Sequence, residues 1–225
     1  MIVLQWDQIE TVLLDMDGTL LDLHFDNHFW LTHLPQRYAE EKEISFEQAH
    51  DLLTSAYREV MGSLKWYCLD YWQERLQMDI VAMKREVANR ISLRPDTLPF
   101  LDTLKDTGRQ VILLTNAHPD SLSLKVERTQ LDKHLHKLYT SHEFGAAKEQ
   151  QQLWSQLQRK LGFEKEKTLF VDDSASVLAA ARTYGIKHLL AVANPDSQQP
   201  ARQVAGYHNI KDYRTLLSDI RQHPI

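Results

Sequence analysis

Two carboxylates one residue apart, Asp15 and Asp17, close an apolar run in TVLLDMDGTLLD, residues 11–22. A later run, QVILLT, ends in a hydroxyl and an amide, Thr115 and Asn116. Lys148 follows, and the run KTLFVDD then ends in a second acidic pair, Asp172 and Asp173. Carboxylates gathered at one point repel, and a bound cation offsets that most simply. An all-oxygen ligand set with room for water suits Mg²⁺. With no Cys or His among these positions, the donor set argues against zinc there. A carboxylate can attack phosphorus if the approach of two anions is screened. Mg²⁺ and Lys148 would screen it and stabilise charge on the transferring phosphoryl group. The leaving alkoxide needs a proton, which a second carboxylate can deliver and later take back from the attacking water. Asp15 is the nucleophile in this reading and Asp17 the general acid and base. The Thr115 hydroxyl and the amide of Asn116 are suited to hold phosphate oxygens. Gly18 lets the chain turn tightly where a Cβ would crowd the ligand.

That chemistry needs elements that bring the four segments together. The runs at 11–15, 110–115, 167–171 and 188–193 are nearly continuous in apolar residues, with a weaker one at 135–140. Continuous runs fit strands covered on both faces of a parallel sheet. Helical patterns separate them: one from Asp96, expected as its cap, to Gly108, and others over 149–161 and 174–184. Alternating strand and helix implies an α/β, doubly wound parallel sheet, whose ligands bind beyond the carboxyl ends of the strands. Between His24 and Ser92 the alternation stops. Ser45 and Gln48 form a capping-box pair, and Ala49, Leu52, Leu53, Ala56 and Val60 follow at helical spacing. WYCLDYW and DIVAMKREVANR continue as helix. This stretch far exceeds a normal crossover of about a dozen residues. We therefore expect a catalytic core of residues 1–22 and 93–225, with a helical insert over 23–92 that has its own small core.

The composition sets bounds. A net charge of -5 and no Lys/Arg cluster leave no basic face for nucleic acid. A single cysteine, Cys68, excludes an internal disulfide, and its expected role is that of a small apolar group. The opening MIVLQWDQIE lacks a basic segment followed by an apolar one, so no signal peptide is expected. No apolar run approaches the roughly eighteen residues of a membrane span. The expectation is a cytoplasmic enzyme, a monomer or weak dimer, with a small-molecule substrate and no nucleic-acid or membrane partner. The eleven histidines show no ligand spacing.

DMDGT (15–19), LLTNA (113–117), Lys148 and FVDDS (170–174), in this order, resemble the four motifs of the haloacid-dehalogenase superfamily. The insert after the first motif is similar to that family's C1-type helical cap. The resemblance implies that Asp15 is nucleophile and metal ligand. It implies that Asp17 is acid and base and gives its backbone carbonyl to Mg²⁺, and that Thr115 and Lys148 bind phosphate. Asp173 is then a direct metal ligand, and Asp172 acts directly or through water. Many relatives have Lys-Pro at the third motif where this chain has Lys148-Glu149, so Lys125 or Lys133 remain alternatives. LLDMDGTLLDLHFDNHFW, LKWYCLDYW, LLTNAHP and ANPDS further resemble the bacterial GMP/IMP nucleotidases of this superfamily. That implies hydrolysis of a purine nucleoside 5′-monophosphate. The insert aromatics Trp66, Tyr67, Tyr71 and Trp72 read first as core, with at least one facing the purine. Asn27, Lys65 or a backbone amide would meet its 6-oxo edge. Sugar-phosphate hydrolysis and phosphoryl transfer to a sugar are the alternatives. A dehalogenase has no use for Asp17, because halide leaves without a proton. A phosphoryl-accepting receiver domain would be about half this length, without an insert.

Overall fold

Val12, Leu13 and Leu14 are fully buried although successive strand residues point to opposite faces, so the strand they form must be covered on both. The computed structural model describes residues 4–225, and the first three residues of the expected core lie outside them. Six strands form one sheet: β1 Thr11–Leu14, β2 Gln110–Thr115, β3 Lys137–Thr140, β4 Thr168–Asp172, β5 His188–Val192 and β6 His208–Ile210. Their order is β3-β2-β1-β4-β5-β6 and every neighbouring pair is parallel. Val12, Leu14, Val111, Leu113, Leu169 and Val171 pack on one face with Phe100, Leu101, Leu104 and Ile220. Leu13, Ile112, Leu114 and Phe170 pack on the other with Leu153, Trp154, Leu157, Val177 and Leu178. Helices Thr97–Asp106 and Leu217–Gln222 cover the first face, and helices Gln151–Leu161 and Ala175–Tyr184 the second. The chain leaves β1 toward β2 and β3, then returns past β1 to β4, β5 and β6. The switch point therefore lies between β1 and β4, where Leu14 is in register with Val171 and the next residues are Asp15 and Asp172.

Between β1 and the core helix Thr97–Asp106 stand only helices and helical turns, from His24–His28 to Ala88–Arg90. Phe25, Phe29, Leu53, Trp72, Ile80 and Met83 gather into a separate cluster. The cluster is not wholly the insert's own, because Leu124 joins it from the helix Pro119–Thr129. Helix Phe46–Val60 opens with the expected Ser45–Gln48 capping box and buries Ala49, Leu53, Ala56 and Tyr57. Leu52 is 57% exposed, so it falls off the buried stripe. The segment Phe29–His33 is a π-helical stretch between helices His24–His28 and Leu34–Lys42. Pro35, at the start of the latter, has no N–H to complete an α-turn, which fits a widened turn before it. The helical run 66–72 breaks at Cys68, whose extended backbone separates helices Leu64–Tyr67 and Leu69–Leu76. Asp96 differs from its expected capping role. Its carboxylate accepts from the Tyr213 backbone N–H at 2.7 Å and pairs with Arg94. Among the described residues no helix is long and apolar enough to cross a membrane.

Candidate functional site

The turn after β1 is set by its backbone. Leu20 and Leu21 both donate to the Met16 carbonyl, and Gly18 donates to Leu21. Met16 is thereby buried and its neighbours Asp15 and Asp17 face the strand ends. Gly18 has φ +83, and a Cβ there would lie 2.9 Å from Pro195 Cβ and 3.0 Å from the Asp173 carboxyl carbon. A side chain is excluded by both conformation and space. The loop holding Lys148 is fixed from two sides. Its N–H donates to Asn116 Oδ1 at 2.9 Å, and its carbonyl accepts from Trp154 Nε1 at 2.8 Å. Its buried side chain then reaches Asp15 Oδ1 at 2.5 Å and Asp172 Oδ2 at 2.8 Å. Asp172 Oδ1 accepts from the Ser174 N–H, and Asp173 Oδ2 from Arg202 at 3.1 Å.

Asp15, Asp172 and Asp173 each offer a carboxylate oxygen within 4.8 Å of the others. Lys148, paired with Asp15 and Asp172, is the only buried cation in contact with the group among the described residues, since Arg202, the partner of Asp173, is largely exposed. Three hard oxygen donors carrying more negative than positive charge fit a divalent cation of the Mg²⁺ kind. Burial raises the Asp15 carboxyl to about 6 against the pull of Lys148, with Asp172 adding to the rise. Burial likewise raises Asp172, and drives Asp173 well above the ordinary carboxylate range. Lys148 is held above its ordinary value: burial opposes the charge, and Asp15 and Asp172 outweigh that cost.

Asp17 belongs to a second group that spans the core and the insert. Lys125 Nζ lies 2.7 Å from Asp17 Oδ1 and 2.7 Å from Asp26 Oδ2, and Lys84 Nζ lies 3.0 Å from Asp26 Oδ1. The Lys125–Asp17 approach is a charge contact outside hydrogen-bonding angles, whereas Lys125–Asp26 is a hydrogen bond. Burial raises the Asp17 carboxyl to about 7, with repulsion from Asp26 added and Lys125 opposing. Burial would raise Asp26 as well, but Lys125 and Lys84 together hold it well below the usual range. Lys84 sits over the rings of Phe25 and Phe29, 4.9 and 4.6 Å from their centres.

These groups open onto a cleft of about 270 Å³ between the strand ends and the insert. That is close to the lower end of small-ligand pockets and far too small for a macromolecule. Asp15, Asp17, Thr115, Asn116, Lys148, Asp172 and Asp173 all line it, and so do Asn27, Trp66 and Tyr67 from the insert. Thr115 Oγ1 accepts from the Ala117 N–H. The Asn116 side chain is a brace, accepting from Lys148 and donating to Glu149. Glu149, the departure from the usual Lys-Pro pair, also accepts from the Tyr67 hydroxyl at 2.7 Å. The third-motif residue thus ties the core to the insert. Asn27 donates to Asp196 at 2.7 Å. Trp66 is only partly buried, packing beside Trp30, Tyr57 and Trp72 while lining the cleft, and Trp72 is wholly core. Lys65 lies beside Tyr71, away from the cleft-lining residues, and Lys133 holds Gln130 at the surface. Neither Lys125 nor Lys133 replaces Lys148 at Asp15.

The sequence marks Phe25, Asp26 and Asn27 as the entry to the insert, fit for hinge or substrate contact, and Asp26 and Asn27 do line the cleft. Lys84 and Trp30 were missed at the site, and Lys125, offered only as an alternative to Lys148, pairs instead with Asp17 and Asp26. Trp30 and Leu31 reach the cleft from the π-helical stretch, where a widened turn shifts the face presented. Lys84 could have drawn notice by its spacing, one turn after Ile80 and next to Met83, which puts it on the buried face of the helix Ile80–Glu86.

Residues 9–185 match the family model of haloacid dehalogenase-like hydrolases. Over 215 residues the chain is 46% identical to the GMP/IMP nucleotidase YrfG of Escherichia coli (strain K12), covering 96% of this chain and 97% of that protein. Among solved structures it resembles a HAD phosphatase from Thermococcus onnurineus, with TM-score 0.79 and 20% identity over 96% of this chain and all of that one. It also resembles an L-2-haloacid dehalogenase from Xanthobacter autotrophicus, with TM-score 0.66 and 16% identity over 95% of this chain and 98% of that one. At those identities the two structures speak to the fold, which phosphatases and dehalogenases share.

Proposed function

Because the chain belongs to the haloacid dehalogenase-like hydrolases, we propose that it is a Mg²⁺-dependent phosphomonoesterase. We infer that it hydrolyses purine nucleoside 5′-monophosphates of the GMP and IMP kind in the cytoplasm. The observation that carries the phosphatase reading is the environment of Asp17. Its carboxyl, raised to about 7, holds a proton beside the nucleophile near neutral pH, where an alkoxide would need it and a halide would not. Asp15 attacks phosphorus, forming an acyl phosphate while the phosphorus–oxygen bond to the ribose breaks. Asp17 passes its proton to the departing 5′-oxygen. It then takes a proton from the water that cleaves phospho-Asp15, which restores both carboxyls. Lys148 is placed to bind phosphoryl oxygens as they gain charge, and Thr115 retains a hydroxyl proton to donate. Asp15, Asp172, Asp173 and the Asp17 carbonyl would hold Mg²⁺, which supplies charge screening for the approach of two anions.

The substrate is supported by the 46% identity to a GMP/IMP nucleotidase along nearly the whole chain. The insert, residues 23–92, acts in this reading as a cap whose Trp30 and Trp66 flank the base. One N–H of the Asn27 amide is given to Asp196. An amide has a second, which we assign to the 6-oxo edge of the purine. Phosphate release with Mg²⁺ across GMP, IMP, AMP, pyrimidine nucleotides and sugar phosphates tests the reading. GMP and IMP should show the highest kcat/KM. Preference for a sugar phosphate would overturn the nucleotide assignment and leave the phosphatase chemistry standing.

A further inference from the structure

At the rim of the cleft, away from the carboxylates, a second set of donors converges. Cys68 Sγ and one ring nitrogen from each of His118 and His142 lie within 4.8 Å of one another. They come from three separate segments. Cys68 is the extended residue between two insert helices, His118 follows β2, and His142 lies in the turn Ser141–Phe144 after β3. The two histidines are held in place by one residue. The Thr140 hydroxyl donates to the Ala117 carbonyl at 2.6 Å and accepts from the His142 N–H at 3.3 Å. Their rings meet edge to face, 5.0 Å apart. His118 Nδ1 accepts from the Asp120 N–H, which leaves Nε2 to face outward, 3.4 Å from Asp70 Oδ2. His142 Nε2 is buried and makes no well-aligned hydrogen bond among the described residues, although the backbone carbonyls of Asn116 and Tyr67 lie near its ring. A buried ring nitrogen in that condition is costly unless something binds it.

We propose that Cys68, His118 and His142 bind a Zn²⁺-class ion that clamps the insert onto the core, its fourth position open to water or to Asp70, which stands beside His118. Thiolate and imidazole select borderline and soft cations, whereas the all-oxygen set around Asp15 selects hard ones, so the two sites sort metals by donor type. A tetrahedral site with Zn–S and Zn–N bonds of about 2.3 and 2.0 Å sets its ligand atoms roughly 3.3–3.6 Å apart, inside the 4.8 Å within which these three lie. Binding releases the Cys68 proton to solvent, as thiolate ligation requires. Cys68 and Asp70 belong to the insert, and His118 and His142 to the core. The ion therefore adds to the neighbouring Tyr67–Glu149 hydrogen bond, which also joins the two. Substrate exchange needs the insert to move, so occupancy should slow turnover. That effect on rate rests on the phosphatase reading, whereas the site itself does not.

The test uses the full chain with saturating Mg²⁺, so that the carboxylates are occupied, and Co²⁺ as the probe. The wild type should develop a thiolate-to-cobalt charge-transfer band that saturates at one Co²⁺ per chain and is displaced by Zn²⁺. Cys68→Ser should lose the band, and His142→Gln should weaken Co²⁺ affinity roughly 10–100-fold or more. Both variants should keep their Mg²⁺-supported phosphatase rate. No band in the wild type, or an unchanged affinity in His142→Gln, would overturn the site. Zn²⁺ added over Mg²⁺ should slow the wild type and spare Cys68→Ser. Equal inhibition of the two would place the effect at the carboxylates and overturn the clamp.

Discussion

On one side of the cleft floor three carboxylates, Asp15, Asp172 and Asp173, share one buried ammonium, Lys148. On the other, Asp17 and Asp26 share two, Lys125 and Lys84. The first group is short of positive charge, a deficit that a cation would offset. The second is balanced, yet its balance is uneven. Asp26 takes a lysine on each oxygen and stays ionised, while Asp17 has one imperfect contact and keeps a proton to about 7. Two neighbouring carboxyls are thus given opposite proton affinities by how the same two lysines divide between them, and that division separates an acid from its anchor. The first group comes wholly from the core, at the strand ends and one loop, whereas the second needs Asp26 and Lys84 from the insert.

The contrast can be broken outright at Asp15. Asp15→Asn cannot form the acyl phosphate and should abolish turnover, measured as phosphate release from GMP. Chelation by EDTA should do the same and Mg²⁺ should reverse it, and full activity in excess chelator would remove the cation from the account. Asp17→Asn should retain metal binding and lose roughly 10²–10⁴-fold in kcat. It should also flatten the alkaline limb of the pH–rate profile, which in the wild type falls as Asp17 ionises. Asp26→Ala leaves two buried lysines short of a partner and should cost about 3–5 kcal/mol of stability by denaturant unfolding. A loss no larger than that of a surface carboxylate would show the group to be ornamental. Trp66→Ala should lower kcat/KM for GMP by about 1–3 kcal/mol in barrier terms while p-nitrophenyl phosphate changes little. Equal losses on both substrates would return Trp66 to a packing role.

The smallest effect concerns stability against pH. Asp15 and Asp17 have raised values, so their contribution is full below the ordinary value of 3.8 and is lost as pH rises through about 6 and about 7. Asp26 has a lowered value, so its contribution is present above the ordinary range and is lost on acidification below it. The metal-free protein should therefore lose thermal stability between about pH 4 and pH 7. Asp17→Asn should shallow that slope, and Mg²⁺ should raise Tm more at pH 8 than at pH 5. Calorimetry at those two pH values decides it.

The convergence of Asp15, Asp172, Asp173 and Lys148 was legible because these residues follow apolar runs in order, and a parallel sheet aligns the ends of such runs. The proton-holding half was not. Lys125 stands on Pro119–Thr129, a helix too polar to announce itself, and its partner Asp26 lies 99 residues away in chain and in another layer. β6, only His208–Ile210, was too short to leave a pattern. Cys68 read as a small apolar residue because no spacing links it to His118 or His142; only the packing of three loops does. Glu149 looked like a flaw in a motif, and its use became visible only with Tyr67 beside it.

Leu124 sits on the core side of the chain yet packs with Phe25, Phe29 and Trp72. A recombination that exchanged residues 23–92 between relatives would cut through that contact, and a graft of the insert alone would arrive with a hole where Leu124 had been. The heritable module is then larger than the segment between the two crossovers. It includes the stretch 119–129, stored far downstream, and the two must travel or adapt together.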